Sequence, residues 1–182
     1  MKDISMHILD IVQNSIRAKA KLIEIEIAER SDDNQLSVSI TDDGTGMGLE
    51  QLQQATNPFY TSRSTRKVGL GLSLLKQKAE MTGGTFSIKS ELGKGTEVKA
   101  VFVLNHFDRP IIGELTGTLL ILICNSGETD YVFKHQTANG NFELDTRDVR
   151  QTLENIPLNH PEVRLFLKKM LQENLEQIQI SK

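Results

Sequence analysis

Alternation of apolar and polar positions marks two strands near the start of the chain, Ile23-Glu24-Ile25-Glu26-Ile27 and Leu36-Ser37-Val38-Ser39-Ile40. A period of two puts one face of each strand in a core and the other in solvent. Ahead of them, Ile8, Leu9, Ile11, Val12 and Ile16 sweep one side of a 3.6-period helix that starts at a cap on Asp3 or Ser5 and runs to Lys19. Short helices are expected after the second strand. A longer helix is predicted from Leu70 to Thr82, with Leu70, Leu74, Leu75 and Ala79 on its apolar side and Gly83-Gly84 as its stop. Thr85 to Ser90 and Thr96 to Leu104 then read as strands paired across the Gly93-Lys94-Gly95 turn. One amphipathic sheet with helices on its buried face makes a two-layer α/β (α+β) sandwich.

The stretch His106-Phe107-Asp108-Arg109-Pro110 reads as a boundary, dividing the chain into residues 1–105 and a small α+β domain, 106–182, whose expected role is partner docking or regulation. Within the second part, Thr118 to Cys124 and Asp130 to Thr137 read as strands, and Asn139-Gly140 favours a tight hairpin into Asn141 to Leu144. Asp145 or Thr146 caps a short helix that ends near Asn155. Pro161 opens a longer one to about Ile178, with Val163, Phe166, Leu167, Met170, Leu171, Leu175 and Ile178 as its apolar stripe. The run Thr118 to Ile123 is the longest apolar stretch. It falls far short of the ~20 residues that cross a bilayer, so it reads as a buried strand.

The polar residues of the first helix carry the candidate chemistry. His7, Asp10, Asn14 and Arg17 follow one another at spacings of three and four, which places them on one stripe. A stripe of this kind is ordinarily a solvated face, and His7 reads as a helix-surface residue. Two glycine loops downstream change the picture for the others: Asp42-Asp43-Gly44-Thr45-Gly46-Met47, just after a strand, and Val68-Gly69-Leu70-Gly71-Leu72. A carboxylate on a glycine turn accepts a hydrogen bond from an adenine amino group, and glycines let backbone approach the base. Asn14 then offers a neutral oxygen to Mg²⁺, Arg17 a cation to phosphate, and Asp10 a carboxylate to orient or deprotonate an attacking water or hydroxyl. Neither glycine run fits the usual phosphate-loop motifs.

Leu9 to Ala18 resembles the N box of the GHKL superfamily of gyrase, Hsp90, histidine-kinase and MutL proteins. Asp42 to Met47 resembles its first glycine box, Asn57 to Ser62 the F box of sensor kinases, and Lys67 to Leu72 the second glycine box. Gly83-Gly84-Thr85 and Ser90 to Thr96 match the closing hairpin, so the resemblance covers Met1 to about Asn105. It implies a Bergerat-type ATP-binding fold with a mixed, largely antiparallel sheet, and ATP with Mg²⁺ as cofactors. By the same resemblance Asn14 is the metal ligand, Asp42 recognises adenine, Gly46 contacts the base through its backbone and Thr96 approaches it from the next strand. Gly69 and Gly71 would open a helix whose amides face the phosphates, and residues 61–68 would form a lid with Arg63, Arg66 and Lys67 as phosphate cations. Gly44, Met47, Leu70 and Leu72 complete the cofactor-binding set.

Two departures bear on mechanism. ATPase and serine-kinase branches of the resembled superfamily carry Glu where this chain has Asp10, which is one methylene shorter, and sensor histidine kinases commonly carry Asn. Thirteen residues precede Asn14, too few for the dimerising hairpin that bears the phosphoaccepting histidine of sensor kinases. The phosphoacceptor, if there is one, is therefore expected on a protein partner or at an unfamiliar site on this chain. A net charge of -3 argues against a broad nucleic-acid-binding face, the single cysteine, Cys124, excludes an internal disulfide, and Met1 to Ser5 shows no leader. The expected location is cytoplasmic, without membrane contact. The favoured reading is an enzyme that hydrolyses ATP or transfers its γ-phosphoryl group to a protein in signalling or regulation. An ATP-gated binding module without turnover is the alternative, and a degenerate homologue is disfavoured because all four ligand elements are present.

Overall fold

The computed structural model describes residues 2–57, 70–125, 127–154 and 156–179. Helix α1 spans Ile4–Arg17, with Asp3 as its N-cap accepting from the Met6 amide, and it leads into strands β1 (Leu22–Arg30) and β2 (Gln35–Asp42). The short helix α2 (Leu49–Gln54) follows, then α3 (Gly71–Met81), β3 (Thr85–Glu91) and β4 (Gly95–Val103). Beyond them lie α4 (Leu115–Asn125), β5 (Asp130–Thr137), β6 (Gly140–Asp145), α5 (Thr146–Leu153) and α6 (Pro161–Ile178).

The strands form one six-stranded sheet in the order β3-β4-β2-β1-β5-β6. It is mixed: every neighbouring pair is antiparallel except β1 and β5. The alternation read in the sequence sets its two faces. Ile23, Ile25, Ile27, Leu36, Val38 and Ile40 are buried beneath the helices, while Glu24, Glu26, Thr41, Lys99 and Lys134 point to solvent on the open face. Cross-strand pairs on that face, Lys89–Glu97 at 3.3 Å and Lys134–Glu143 at 3.7 Å, are exposed and add at most ~1 kcal/mol each.

The segments on either side of residue 105 share this sheet and one core. Tyr131 and Phe133 of β5 stand beside Ile23 and Ile25 of β1, and α4 packs on both α1 and α6. The intervening stretch acts as a strap across the start of α1: the Ile4 and Ser5 amides donate to the Ile111 and Ile112 carbonyls at 2.9 and 2.8 Å. Those are amides that no helical carbonyl can satisfy.

Two sequence expectations are corrected. Thr118 to Cys124 lies in helix α4, not in a strand. Glu114 caps it through a 2.7 Å bond from the Gly117 amide, and Leu115, Leu119, Leu122 and Ile123 are buried between α1 and α6. A short run that is apolar on all sides has no period to separate a buried helix from a buried strand. On α6, Phe166 leaves the predicted stripe: Val163, Leu167, Leu171 and Ile178 are buried, whereas Phe166 is 62% exposed. One residue away from Leu167 is about 100° around the helix, outside a contact that follows i, i+4.

Candidate nucleotide site

The site gathers where α1, the β2 turn, the β3–β4 hairpin and the start of α3 meet. Asp42 closes β2 and is buried, yet its carboxylate is satisfied: the Ser15 hydroxyl donates to Oδ2 at 2.6 Å and the Gly44 amide to Oδ1 at 2.9 Å. Each oxygen keeps a second lone pair for another donor. Thr96 stands directly opposite Asp42 on β4, and its hydroxyl is 2.8 Å from that of Ser90. Ser90 also accepts from the Met47 amide at 2.8 Å and donates to the Gly95 carbonyl at 2.9 Å, which staples the glycine turn to the hairpin. Asp42, Ser90, Gly95 and Thr96 line a depression of about 300 Å³. A larger recess of about 600 Å³, lined by Leu70, Ser73, Leu74 and Gln77, lies along α3 and touches neither Asp42 nor Asp10.

At two positions the backbone itself requires glycine. Gly46 sits at φ +64, and a Cβ there would run into the Glu91 backbone carbonyl. Gly95, at φ +112, approaches the Asp42 carbonyl as closely. Side chains at either place would push the two loops apart. Gly44 packs under Ala18, whose carbonyl accepts from Thr45 at 2.9 Å, so the turn is also anchored to the end of α1.

At the other end of the site, Asp10 lies half-buried against α3. Gly71 opens that helix, and a Cβ on it would collide with the Asp10 carboxylate. The absence of a side chain at residue 71 lets the Asp10 carboxylate rest against the first turn of α3. Leu70, the N-cap, supplies no side-chain bond to that turn, and Leu72 packs partly buried against the core. Asn14 is exposed one turn beyond Asp10, with its Oδ1 accepting from Arg17 Nη1 at 2.7 Å. Arg17 is thus held beside Asn14 rather than extended alone.

The structure brings together Asp42, Gly44, Gly46, Met47 and Thr96 at one end, and Asp10, Asn14, Arg17, Leu70, Gly71 and Leu72 along α1 and α3. Arg63, Arg66, Lys67, Gly69, the F box from Pro58 and the expected lid lie outside the described residues. His7 departs from expectation. It is buried, not on the helix surface, because α3 and α4 both pack on α1. Burial pushes its imidazole below the ordinary 6.5; the chain's amino terminus acts the same way, and the Gly71 backbone, Asp10 and Asp3 oppose them. Sequence reasoning also passed over Ser15 and Ser90. Ser15 follows Asn14 at a helical position facing the core, and a hydroxyl in that place was the available signal.

A two-layer sandwich with a carboxylate on a glycine turn, an asparagine-bearing helix and a glycine-opened helix defines a nucleotide-site architecture. The family model for histidine kinase-, DNA gyrase B- and HSP90-like ATPases matches residues 2–106, and the chain belongs to that family. It is 34% identical over 96 residues to the signal transduction histidine-protein kinase ArlS of Staphylococcus aureus (strain USA300), covering 50% of this chain and 21% of that one. A sensor-protein relative from Shewanella frigidimarina (strain NCIMB 400) is 32% identical over 103 residues, 56% of this chain and 16% of its own length. The chain therefore spans about a fifth or less of these relatives. Among solved structures, the N-terminal domain of a DNA repair protein superposes with a TM-score of 0.51 at 18% identity, covering 80% of this chain and 52% of that one. That share is more than residues 1–106 alone supply, so the likeness in fold extends into the C-terminal segment. No helix among the described residues is long and apolar enough to cross a membrane.

Proposed function

We propose that the chain binds Mg-ATP between Asp42 and the start of α3, and hydrolyses it or passes its γ-phosphoryl group to a protein partner in signalling. The observation that carries this reading is the contact between the Asp10 carboxylate and the Gly71 backbone. It sets a candidate base beside the amino end of a helix, where free amides and the helix dipole favour phosphate. The spare lone pairs of Asp42 suit the adenine amino group, and the Ser15 and Gly44 bonds hold that carboxylate in place. Thr96, facing Asp42 across the sheet, closes the base end.

At the phosphate end, Asp10 takes a proton from the attacking oxygen of water or of a partner's side chain. That oxygen forms a bond to the γ-phosphorus, the bond from phosphorus to the β,γ-bridging oxygen breaks, and ADP leaves with the electron pair. Asn14 Oδ1 fits Mg²⁺: it is a neutral, exposed oxygen with one lone pair beyond the bond to Arg17, and Mg²⁺ sites commonly combine one protein oxygen with phosphates and waters. Bound there, the ion would neutralise charge on the phosphates. Arg17 would turn from Asn14 toward phosphate, and Arg63 and Lys67 are assigned the same role from sequence alone. The matches to a signal transduction kinase and a sensor protein support the signalling context.

Incubation of the purified protein with γ-labelled ATP and Mg²⁺ tests the reading. Released phosphate, or label on added protein partners, is the expected result. Acid-labile label would place the acceptor on histidine or aspartate, and acid-stable label on serine or threonine. Binding with neither release nor transfer would replace turnover by an ATP-gated switch, and no binding would end the proposal.

A further inference from the structure

Ser90, near the end of β3, ties the glycine turn to the β3–β4 hairpin, and the chemistry above gives it no part in reading the base. Its hydroxyl has three polar neighbours. The Met47 amide donates to Ser90 Oγ at 2.8 Å, the Gly95 carbonyl lies 2.9 Å from it, and the Thr96 hydroxyl 2.8 Å. A serine hydroxyl has one proton and two acceptor lone pairs. The Met47 N–H takes one lone pair, and the Gly95 carbonyl, which can only accept, takes the proton. One lone pair is left, so Thr96 is the donor in its bond with Ser90. The opposite direction would leave the Ser90 and Gly95 oxygens 2.9 Å apart with no proton between them. Thr96 therefore spends its only hydroxyl proton on Ser90 and keeps lone pairs for the depression that it lines with Ser90 and Asp42. Thr96 and Asp42 are direct cross-strand partners, so their side chains leave the same face of the sheet side by side. The Asp42 carboxylate likewise offers acceptors alone.

We propose that Ser90 is a specificity-determining residue: by taking the Thr96 hydroxyl proton it makes the base end of the site a wall of acceptors, which admits a six-amino purine and turns away a six-oxo purine. The inference rests on the reading that Asp42 meets the base. An exocyclic amino group brings two N–H protons to such a wall. The six-oxo group of hypoxanthine or guanine brings lone pairs instead, and they meet the Thr96 oxygen with no proton to share. A threonine hydroxyl left free to rotate would serve either group, because it can donate or accept. The bond to Ser90 removes that freedom. Selection of adenine then rests on repulsion of the wrong base as well as attraction of the right one. Ser90 is a positioning residue in this account, acting through Thr96 rather than on the base itself.

Titration of Mg-ATP and of Mg-ITP, its six-oxo counterpart, into the full chain tests this through the ratio of the two affinities. The wild type should prefer ATP. Ser90→Ala frees the Thr96 proton to meet the six-oxo group, so the preference should fall by about tenfold, while Ser90→Thr, which keeps a hydroxyl, should hold it within about threefold of the wild type. A purely structural role for Ser90 predicts something different. Loosening of the glycine turn in Ser90→Ala would weaken both nucleotides alike, and an unmoved ratio overturns the proposal. A collapse in Ser90→Thr as deep as in Ser90→Ala would also count against it. If Ser90→Ala lacks a cooperative thermal transition, Thr96→Val carries the test, since it removes the opposing oxygen with little change of shape. The preference should fall there too, and an unchanged ratio overturns the proposal. Equal affinities for ATP and ITP in the wild type would sink the reading of Asp42 along with this one, whereas a preference that survives in Ser90→Ala defeats the role of Ser90 alone.

Discussion

A chain cut after Asn105 is expected to lose its cooperative thermal transition, although every ligand element named above that falls among the described residues lies before that point. Removing residues 106–182 strips β5 from the edge of β1 and leaves the amides and carbonyls of a central strand unpaired. It also removes Leu115, Leu119, Leu122, Ile123, Tyr131, Phe133, Leu167 and Leu171 from the common core. At about 1.5–3 kcal/mol for each fully buried apolar side chain, that loss is as large as or larger than the ~5–15 kcal/mol by which domains are stable. The start of α1 loses the Ile111 and Ile112 carbonyls as well. Calorimetric scans of the full chain and of residues 1–105 measure this directly. A sharp transition with full ATP affinity in the shorter chain would show that the C-terminal segment only decorates a self-sufficient domain.

Asp10→Asn should keep ATP affinity within a few-fold while slowing turnover by about 10² to 10⁴, the usual range for a lost acid–base group. Asparagine preserves the shape that rests against Gly71 but cannot take a proton from the attacking oxygen. Single-turnover and steady-state rates separate binding from chemistry here. Equal rates in the two proteins would leave Asp10 as a structural contact of α3.

The parts of this molecule legible in its sequence are those set by local pattern. The alternation in β1 and β2, the caps at Asp3 and Asp145, and Pro161 at the start of α6 are each local signals, and the structure carries all of them. The glycine turn after β2 was equally readable, because positive φ at Gly46 and close approach at Gly95 demand glycine itself. What escaped depends on partners far along the chain. Parallel pairing of β1 with β5 joins residues more than a hundred positions apart, and no pattern in either strand specifies it. The helical state of α4 follows from burial on several sides, which erases the period that would have revealed it. His7 fell on the polar stripe of α1, and only the packing of both α3 and α4 on that helix explains why it is inside. Ser15 became a site residue through its bond to Asp42, 27 positions away.

Calorimetric titration of Mg-ATP into the wild type and Asp42→Asn tests the central claim that this pocket holds the nucleotide by its base. The substitution keeps the volume of a buried side chain but replaces an acceptor oxygen with a donor that opposes the adenine amino group. Loss of a hydrogen bond to a charged group costs about 1.5–3 kcal/mol, so the affinity should fall by about 10- to 100-fold, with thermal unfolding of the free protein still cooperative. Equal affinities in the two folded proteins would mean that adenine does not meet Asp42 and that the site has been placed wrongly.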